Sequence, residues 1–294
     1  MTKHIAVLKT ELVDSLSVTK GNVVVDCTLG GGGHALEVME KLENAGGGVF
    51  VGIDIDSQAI ENFRKKLKKY SNIEVKLVKA NFAKLEEVLQ NIGLDRVSKL
   101  YADLGFSSDQ IEDITFRKDK ELDLRMDDEL YVKAKDLLNG LYRKELEKLF
   151  REYGDVKYAG PLAREIELYK KTKPIERTSQ LNAIVKTVLN NNHKLTLLEK
   201  ELQKIYQSMR IAVNGEFVNL EKMLSTAIDK LEPNGRIAII AFHSGEDRIV
   251  KRTFKDAVRT KQCKWIKELV VPSNYEVSLN PKSRSSKMRV LGKM

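Results

Sequence analysis

The sequence predicts an α/β protein built on an open, mainly parallel sheet, with an all-helical domain inserted between its strands. Three observations predict it. A strand, a glycine turn and a helix follow one another over Val23 to His34, acids close three successive apolar runs, and about 90 residues in the middle of the chain carry helical periodicity.

The first of these is the centre of the chain. Val23-Val24-Val25-Asp26 reads as a strand buried on both faces, and the glycines Gly30 to Gly33 turn it into Ala35-Leu36-Glu37-Val38-Met39, whose apolar spacing is helical. Glycine suits such a turn because a Cβ would hold a ligand away from the backbone and because tight turns call for positive φ. Gly30-x-Gly32-x-x-Ala35 also satisfies a loose dinucleotide fingerprint, which leaves an NAD enzyme beside an S-adenosylmethionine enzyme. Asp26 separates the two. A carboxylate at the strand end suits a cationic or polar ligand end such as an amino group and would repel a pyrophosphate; without a ligand it reads as a helix cap.

In chain order, Leu8 to Leu16 predicts a short helix ahead of that strand, and Val49 to Asp54, entered through Gly46-Gly47-Gly48, predicts the second strand. Asp54 follows the turn at about the 20-residue interval at which a second-strand carboxylate takes ribose hydroxyls. Asp56 competes for that role, but it better suits the cap of a helix over Ser57 to Lys69 that buries Ile60, Phe63 and Leu67. A third strand, Ile73 to Val78, leads to Phe82, which either borders a base or packs in the core. After a helix over Leu85 to Ile92, the fourth strand, Lys99 to Leu104, carries Asp103. Asp26, Asp54 and Asp103 thus converge outside the carboxyl ends of the strands, where open α/β sheets bind ligands. At Asp103 a carboxylate or backbone carbonyl accepts a hydrogen bond from an exocyclic amine and aligns its lone pair with a sulfonium methyl. The leaving thioether is neutral, so alignment and water exclusion outweigh acid catalysis.

From about Asp127 to Asn214 sets such as Leu146-Leu149-Phe150 and Leu181-Ile184-Val185-Val188 recur at helical spacing. Breaks at Gly140, Gly154, Pro161, Pro174 and Asn190 to Asn192 divide the stretch into about five helices. Residues 116–214 are therefore read as an inserted helical domain for substrate recognition that walls the cleft, with 1–115 and 215–294 as the two parts of the sheet domain. Arg125, Asp127, Arg210 and Asn214 are expected to form a polar network where the insertion meets the cleft, because charges at such a junction need mutual partners. Beyond it come a helix over Glu216 to Leu231, a turn at Pro233-Asn234-Gly235 and a fifth strand, Arg236 to Phe242, with His243 and Ser244 at its end. A helix over Glu246 to Val258 follows, its two leading acids suiting the N-terminal dipole. Trp265 to Val271 and Lys287 to Leu291 are the last strands. His243 is the weaker catalytic candidate, since an amine becomes acidic only as it is alkylated and needs no strong prior base.

Composition sets the boundaries. A chain of 294 residues with 42% hydrophobic content builds a real core. Cys27 and Cys263 make no disulfide framework and four scattered histidines make no metal-ligand spacing, so a reduced, cytoplasmic setting and no metal are expected. No apolar run of the roughly 18 residues a bilayer needs is present. Net charge is +9, and from Arg248 onward 13 lysines and arginines face only Asp256, Glu268 and Glu276. This basic excess suits nucleic acid through phosphate contacts, with Lys282 and Arg284 chosen for that contact; a solvated face is the plainer alternative.

The runs D-C-T-L-G-G-G-G-H, I-D-I-D, D-L-G-F-S-S-D-Q and L-D-L-R-M-D, then R-I-A-V-N, F-H-S, E-D-R-I-V-K and N-P-K-S-R-S, together resemble the bacterial 16S ribosomal RNA cytosine-N4 methyltransferases, the MraW or RsmH family. The matches run from His4 almost to the C-terminus. The resemblance implies a class I, Rossmann-like fold with a seven-stranded sheet, S-adenosylmethionine as methyl donor, and N4 of a cytidine in the decoding centre of the small ribosomal subunit, or of its late assembly intermediate, as acceptor. It implies cofactor contacts at Gly32, Gly33, His34, Asp54, Phe82, Asp103 and Gln110, of which His34 and Gln110 rest on the resemblance alone; Asp26 and Gly30 join them from the strand-turn reading. Arg125, Asp127, Arg210, Asn214, Ser244, Lys282 and Arg284 form the expected RNA side. The substrate side departs from the family at Ile114 to Arg117, at Lys200 and Lys204, which stand where the family has histidine and arginine, and at Gly245, which replaces an apolar residue. No membrane partner is expected, and the oligomeric state is open, a homodimer included. A dehydrogenase and a non-catalytic RNA-binding assembly factor are the readings from other classes.

Overall fold

A computed structural model describes residues 6–67, 70–104, 116–127 and 129–294. The chain divides into two compact units, residues 1–107 with 217–294, and residues 108–216.

The first unit is the sheet. Its elements are α1 (Lys9–Leu16), β1 (Val23–Asp26), α2 (Gly33–Asn44), β2 (Gly48–Asp54), α3 (Ser57–Lys66), β3 (Ile73–Lys79), α4 (Leu85–Asn91) and β4 (Val97–Asp103). The helical unit then supplies α5 (Ala134–Gly140), α6 (Arg143–Gly154), α7 (Ala159–Lys170), α8 (Thr178–Asn191) and α9 (Leu198–Asn214). The chain returns through α10 (Glu216–Lys230), β5 (Leu231–Ala241), α11 (Ser244–Arg259), β6 (Cys263–Val270), α12 (Asn274–Leu279) and β7 (Lys287–Lys293). Among the described residues no helix is long and apolar enough to cross a membrane.

The seven strands lie in the order β3-β2-β1-β4-β5-β7-β6. They are parallel from β3 through β5, and β7 runs antiparallel to both β5 and β6. Connections from β1 run to β2 on one side and, later, to β4 on the other, so the order reverses between β1 and β4. That is the topological switch point, where an open α/β sheet leaves a crevice at its carboxyl edge.

Period-two alternation explains both layers of the core. Val25, Val51, Leu100 and Ile239 face one way, against Leu85 and Leu89 of α4, Leu224 of α10 and Phe254 of α11. Val24, Phe50, Tyr101 and Ile240 face the other, against Leu12 of α1, Met39 of α2 and Phe63 of α3. With both faces covered, these strands read as unbroken apolar runs rather than as alternating ones. The helical unit has its own core, with Leu146 and Phe150 of α6, Leu162 and Ile166 of α7, Leu181 and Val185 of α8, and Leu202 and Ile205 of α9.

Several boundaries differ from the sequence reading, three of them with structural meaning. Helix α3 ends at Lys66, and Leu67 turns to extended backbone; residues 68 and 69 lie outside the described ones. Strand β5 begins at Leu231, because Val97 of β4 pairs with Leu231 and Lys99 pairs with Arg236. Pro233 to Gly235 is thus a bulge inside the strand, with Asn234 in the left-handed region at φ 62°. Helix α11 starts at Ser244 rather than Glu246, with consequences for His243.

Candidate active site

The crevice is assembled from the carboxyl ends of β1, β2 and β4 and from the turn that follows β1. The turn is bound to both neighbouring strands: Cys27 N–H donates to the Tyr101 carbonyl at 2.9 Å and Leu29 N–H to the Ile53 carbonyl at 3.0 Å. Glycine is obligatory at Gly32, where φ is +75° and a Cβ would stand 2.2 Å from the Phe63 ring. Gly31 has the opposite surroundings, open space in which a Cβ would meet nothing within 4 Å. The backbone here is available to a ligand, and Lys66 Nζ lies 3.0 Å from the Gly31 carbonyl.

Register brings the three strand-end acids together. Asp26 is 2% exposed, and its Oδ1 accepts from Thr28 N–H at 2.9 Å. Burial, with Asp54 and Asp103 adding like charge, pushes its carboxyl up to about 7, against the pull of the Thr28 amide and the nearby Tyr101 phenol. The Tyr101 hydroxyl is itself buried and makes no hydrogen bond of good geometry among the described residues. A buried phenol beside a half-titrated carboxyl is a pair with unspent capacity for a polar or cationic partner. Asp54 accepts from Gly30 N–H at 2.7 Å through Oδ2 and from Asp56 N–H at 2.9 Å through Oδ1; burial nevertheless raises its pKa. Asp56 caps α3, accepting from Gln58 N–H at 2.7 Å, the role its position suggested. Asp103 is anchored by its own N–H, which donates to Thr28 Oγ1 at 2.7 Å, and its Oδ2 lies 3.5 Å from His34 Nδ1. The His34 ring is buried and contacts the Val7 carbonyl through Nε2 at 2.9 Å.

Thr28, Tyr101 and Val7 were not singled out from the sequence. Thr28 lies within the D-C-T-L-G run, and Tyr101 faces Asp26 only through the pairing of β1 with β4. Phe82 opens a short 3-10 turn (Phe82–Lys84) and packs half-buried against the core. Gln110 lies outside the described residues.

His243 is a cap rather than a free base. It precedes the first turn of α11, its Nδ1 accepts from Glu246 N–H at 3.4 Å, and its Nε2 sits 2.9 Å from Glu246 Oε1 without hydrogen-bond alignment. Its ring leans on Phe217 at 5.7 Å. Phe217 also explains Gly245, where a Cβ would approach that ring to 2.3 Å; the aromatic occupies the room an apolar side chain at 245 would take. Ser244 is exposed at the helix start.

In the helical unit the four expected polar residues have these partners among the described residues, and Asn214 Nδ2 donates to the Arg210 carbonyl at 2.9 Å. Arg125 grips Asp123 at 2.6 and 2.9 Å, and Arg210 grips Glu216 at 2.8 and 3.1 Å. Asn214 ties the 124–126 segment to α9, donating to the Leu124 carbonyl and accepting from Met126 N–H. Asp127 accepts from Glu129 N–H in a local turn. Among the described residues, Asp123 and Glu216 are the acids that pair with these arginines. Lys204, at one of the substrate-side departures, is held internally by Glu201 and the Asp155 carbonyl.

The basic tail also splits. Arg289 is 4% exposed, bound to Asp247 at 2.7 Å and to the Glu268 carbonyl at 2.6 Å. Lys293 bonds the Ile228 carbonyl. Arg248, Arg252, Lys255 and Arg259 lie along one exposed stripe of α11, with Arg252 paired to Glu221 and Arg259 to Asp256, while Lys282 and Arg284 are exposed on a 3-10 turn.

A 3-2-1-4-5 parallel order with an antiparallel strand inserted beyond it, a glycine turn after the first strand, and carboxylates at the ends of the next ones define a Rossmann-like S-adenosylmethionine-dependent methyltransferase. The chain belongs to the MraW methylase family, whose family model matches residues 1–294. The ribosomal RNA small subunit methyltransferase H of Desulfosudis oleivorans is 34% identical over 312 residues, covering 99% of each chain. The protein of the same name from Lachnospira eligens is 36% identical over 308 residues, covering 98% of this chain and 96% of its own. A solved rRNA methylase from Streptococcus thermophilus spans 100% of this chain and 99% of its own at TM-score 0.44 and 11% identity; the family assignment rests on the sequence matches.

Proposed function

We propose that this protein transfers a methyl group from S-adenosylmethionine to the exocyclic N4 of a cytidine in the decoding centre of 16S ribosomal RNA. The observation that carries this reading is the meeting of Asp26, Asp54 and Asp103 around the glycine turn at the β1/β4 switch point, in a chain of the MraW methylase family. The residues present fit the methyl donor. Asp26 and the unsatisfied Tyr101 hydroxyl suit an ammonium end, the open backbone at Gly30 to Gly33 admits a close approach, Asp54 keeps acceptor capacity for ribose hydroxyls, and Phe82 borders the base. His34 and Gln110 complete that set by resemblance. When bound, the donor supplies an electrophilic sulfonium methyl.

Everything else falls to the chain. Asp103, fixed through Thr28, accepts a hydrogen bond from the target amine and holds its lone pair in line, with His243 capping the neighbouring helix. The helical unit supplies surface for a structured RNA, through Arg125, Asp127, Arg210 and Asn214. The α11 stripe, Ser244, Lys282 and Arg284 meet phosphates. The partner is the small subunit or its late assembly intermediate, and the setting is cytoplasmic. The test is transfer of labelled methyl to small subunits lacking the modification, with the nucleoside identified by mass spectrometry. N4-methylcytidine is expected with the wild-type protein and a loss on the order of 100-fold with Asp103→Ala. Absence of transfer by a protein that binds the donor would overturn the reading in favour of a non-catalytic assembly factor.

A further inference from the structure

The peptide group between Val7 and Leu8 is gripped from both sides. Its carbonyl lies 2.9 Å from Nε2 of His34, and its N–H donates to Oε1 of Glu276 at 2.8 Å. A carbonyl only accepts, so Nε2 supplies the hydrogen of the first bond whether the ring is neutral or charged. In a trans peptide the C=O and N–H share one rigid plane and point opposite ways, and no peptide among the described residues is cis. One planar group therefore joins a carboxylate on α12, 268 residues further along the chain, to an imidazole on the first turn of α2. Bonds on the two sides of such a group polarise and strengthen one another. Leu8 meanwhile adopts φ 49° and ψ 37° at the N-cap of α1, the left-handed region that leucine rarely enters. Such a conformation persists only where the surroundings over-determine it. Here the Leu8 side chain is fully buried, and its amide, which has no acceptor within the helix, finds one in Glu276. Just ahead of it Ala6 lies against the glycine turn, its Cβ 3.0 Å from where a Cβ on Gly33 would stand. Residues 6–8 thus form a strap across the start of α2, fastened at its outer side by Glu276. That residue is in turn set by Ser273, whose Oγ accepts from the Glu276 N–H at 3.1 Å.

We propose that Glu276 is a positioning residue for the methyl-donor site, acting through the Val7–Leu8 peptide on His34 and Gly33. The proposal rests on the proposed function, in which both of those residues contact S-adenosylmethionine. With the carboxylate removed, the amide of a strained residue loses its acceptor, the peptide is free to turn, and the His34 ring loses the carbonyl that orients it.

Two variants and one measurement on the unaltered protein test it. Glu276→Gln keeps an oxygen that accepts from Leu8 N–H, whereas Glu276→Ala removes it. The chain has 4 histidines, so proton–nitrogen spectra of histidine-labelled protein resolve each ring, with His34→Gln supplying the assignment. A slowly exchanging Nε2–H is expected for His34 in the wild type and in Glu276→Gln, and a shifted, fast-exchanging one in Glu276→Ala. In calorimetry Glu276→Ala is expected to weaken S-adenosylmethionine about tenfold, the scale of one hydrogen bond to a charged group, and Glu276→Gln to stay within about threefold of the wild type. Either quantity unmoved by Glu276→Ala overturns the proposal. Equal losses in both variants overturn it too, because they trace the effect to packing of α12 rather than to the accepted bond. The third measurement holds even where a variant fails to fold. Coupling between sites is reciprocal, so saturating S-adenosylmethionine is expected to slow hydrogen exchange at the Leu8 amide of the wild type by about the same tenfold. An amide indifferent to the donor overturns the proposal. Wild-type protein that binds no S-adenosylmethionine refutes the proposed function as well, whereas donor binding that ignores Glu276 and Leu8 refutes the strap alone.

Discussion

Asp26→Asn tests the electrostatics of the crevice without disturbing its shape, because an asparagine oxygen still accepts from Thr28 N–H. In the folded protein the Asp26 carboxyl rises from an ordinary 3.8 to about 7. Between those values the folded state holds a proton that the unfolded state has released, so this group's contribution is full below about pH 4 and is lost as pH rises through 7. At about 1.36 kcal/mol per pH unit the whole span is worth up to about 4 kcal/mol. Asp54, also raised, acts in the same direction and leaves a residual slope in the variant. The assay is urea unfolding at a series of pH values from 5 to 8.5, followed by fluorescence of the single tryptophan. Trp265 reports on the sheet unit, where it packs on Phe254 at 5.8 Å. Wild-type stability is expected to fall toward alkaline pH relative to the variant, which becomes the more stable protein above pH 7 while binding S-adenosylmethionine more weakly. Parallel pH curves for the two proteins would refute the argument, because they would mean that Asp26 is ionised throughout. The expected inversion is a functional site storing instability that a cationic ligand releases.

Other perturbations address the frame. Asp247→Ala leaves the Arg289 guanidinium buried beside a missing partner and is expected to cost about 3–5 kcal/mol in denaturant unfolding; burial opposes the Asp247 charge, but Arg289 and Lys287 outweigh it and hold its pKa low, so acid should weaken the same ion pair. Gly245→Leu, which restores an apolar residue, is expected to destabilise by about 1–3 kcal/mol through collision with Phe217 and to be largely rescued by Phe217→Ala, a coupling that a double-mutant cycle reads directly. Replacing Arg252, Lys255 and Arg259 by glutamine is expected to weaken binding to small subunits and to flatten its dependence on salt, the slope falling by about 0.7–0.9 for each phosphate no longer neutralised, with donor affinity unchanged in calorimetry.

The local pattern of the chain determined the elements and the acids. Three valines before Asp26, a glycine run and 3.6-residue periodicity are signals carried by neighbouring residues, so β1, the turn, α2 and the five described helices from α5 to α9 were legible before any tertiary neighbour was known. The cap role of Asp56 was legible for the same reason, because a cap bonds an amide two residues away. What required the tertiary structure is whatever depends on register between distant segments. Tyr101 meets Asp26 only because β4 pairs with β1, and Val7 reaches His34 only when α1 packs beside α2. The bulge at Pro233 to Gly235 was hidden likewise, since a turn signal does not reveal that the strand pairs on both sides of it. Sequence determined which groups stand at the strand ends, because strand ends are local; the fold decided what each group faces, and with it charge state, proton position and available partners, because those are sums over neighbours brought together from far along the chain.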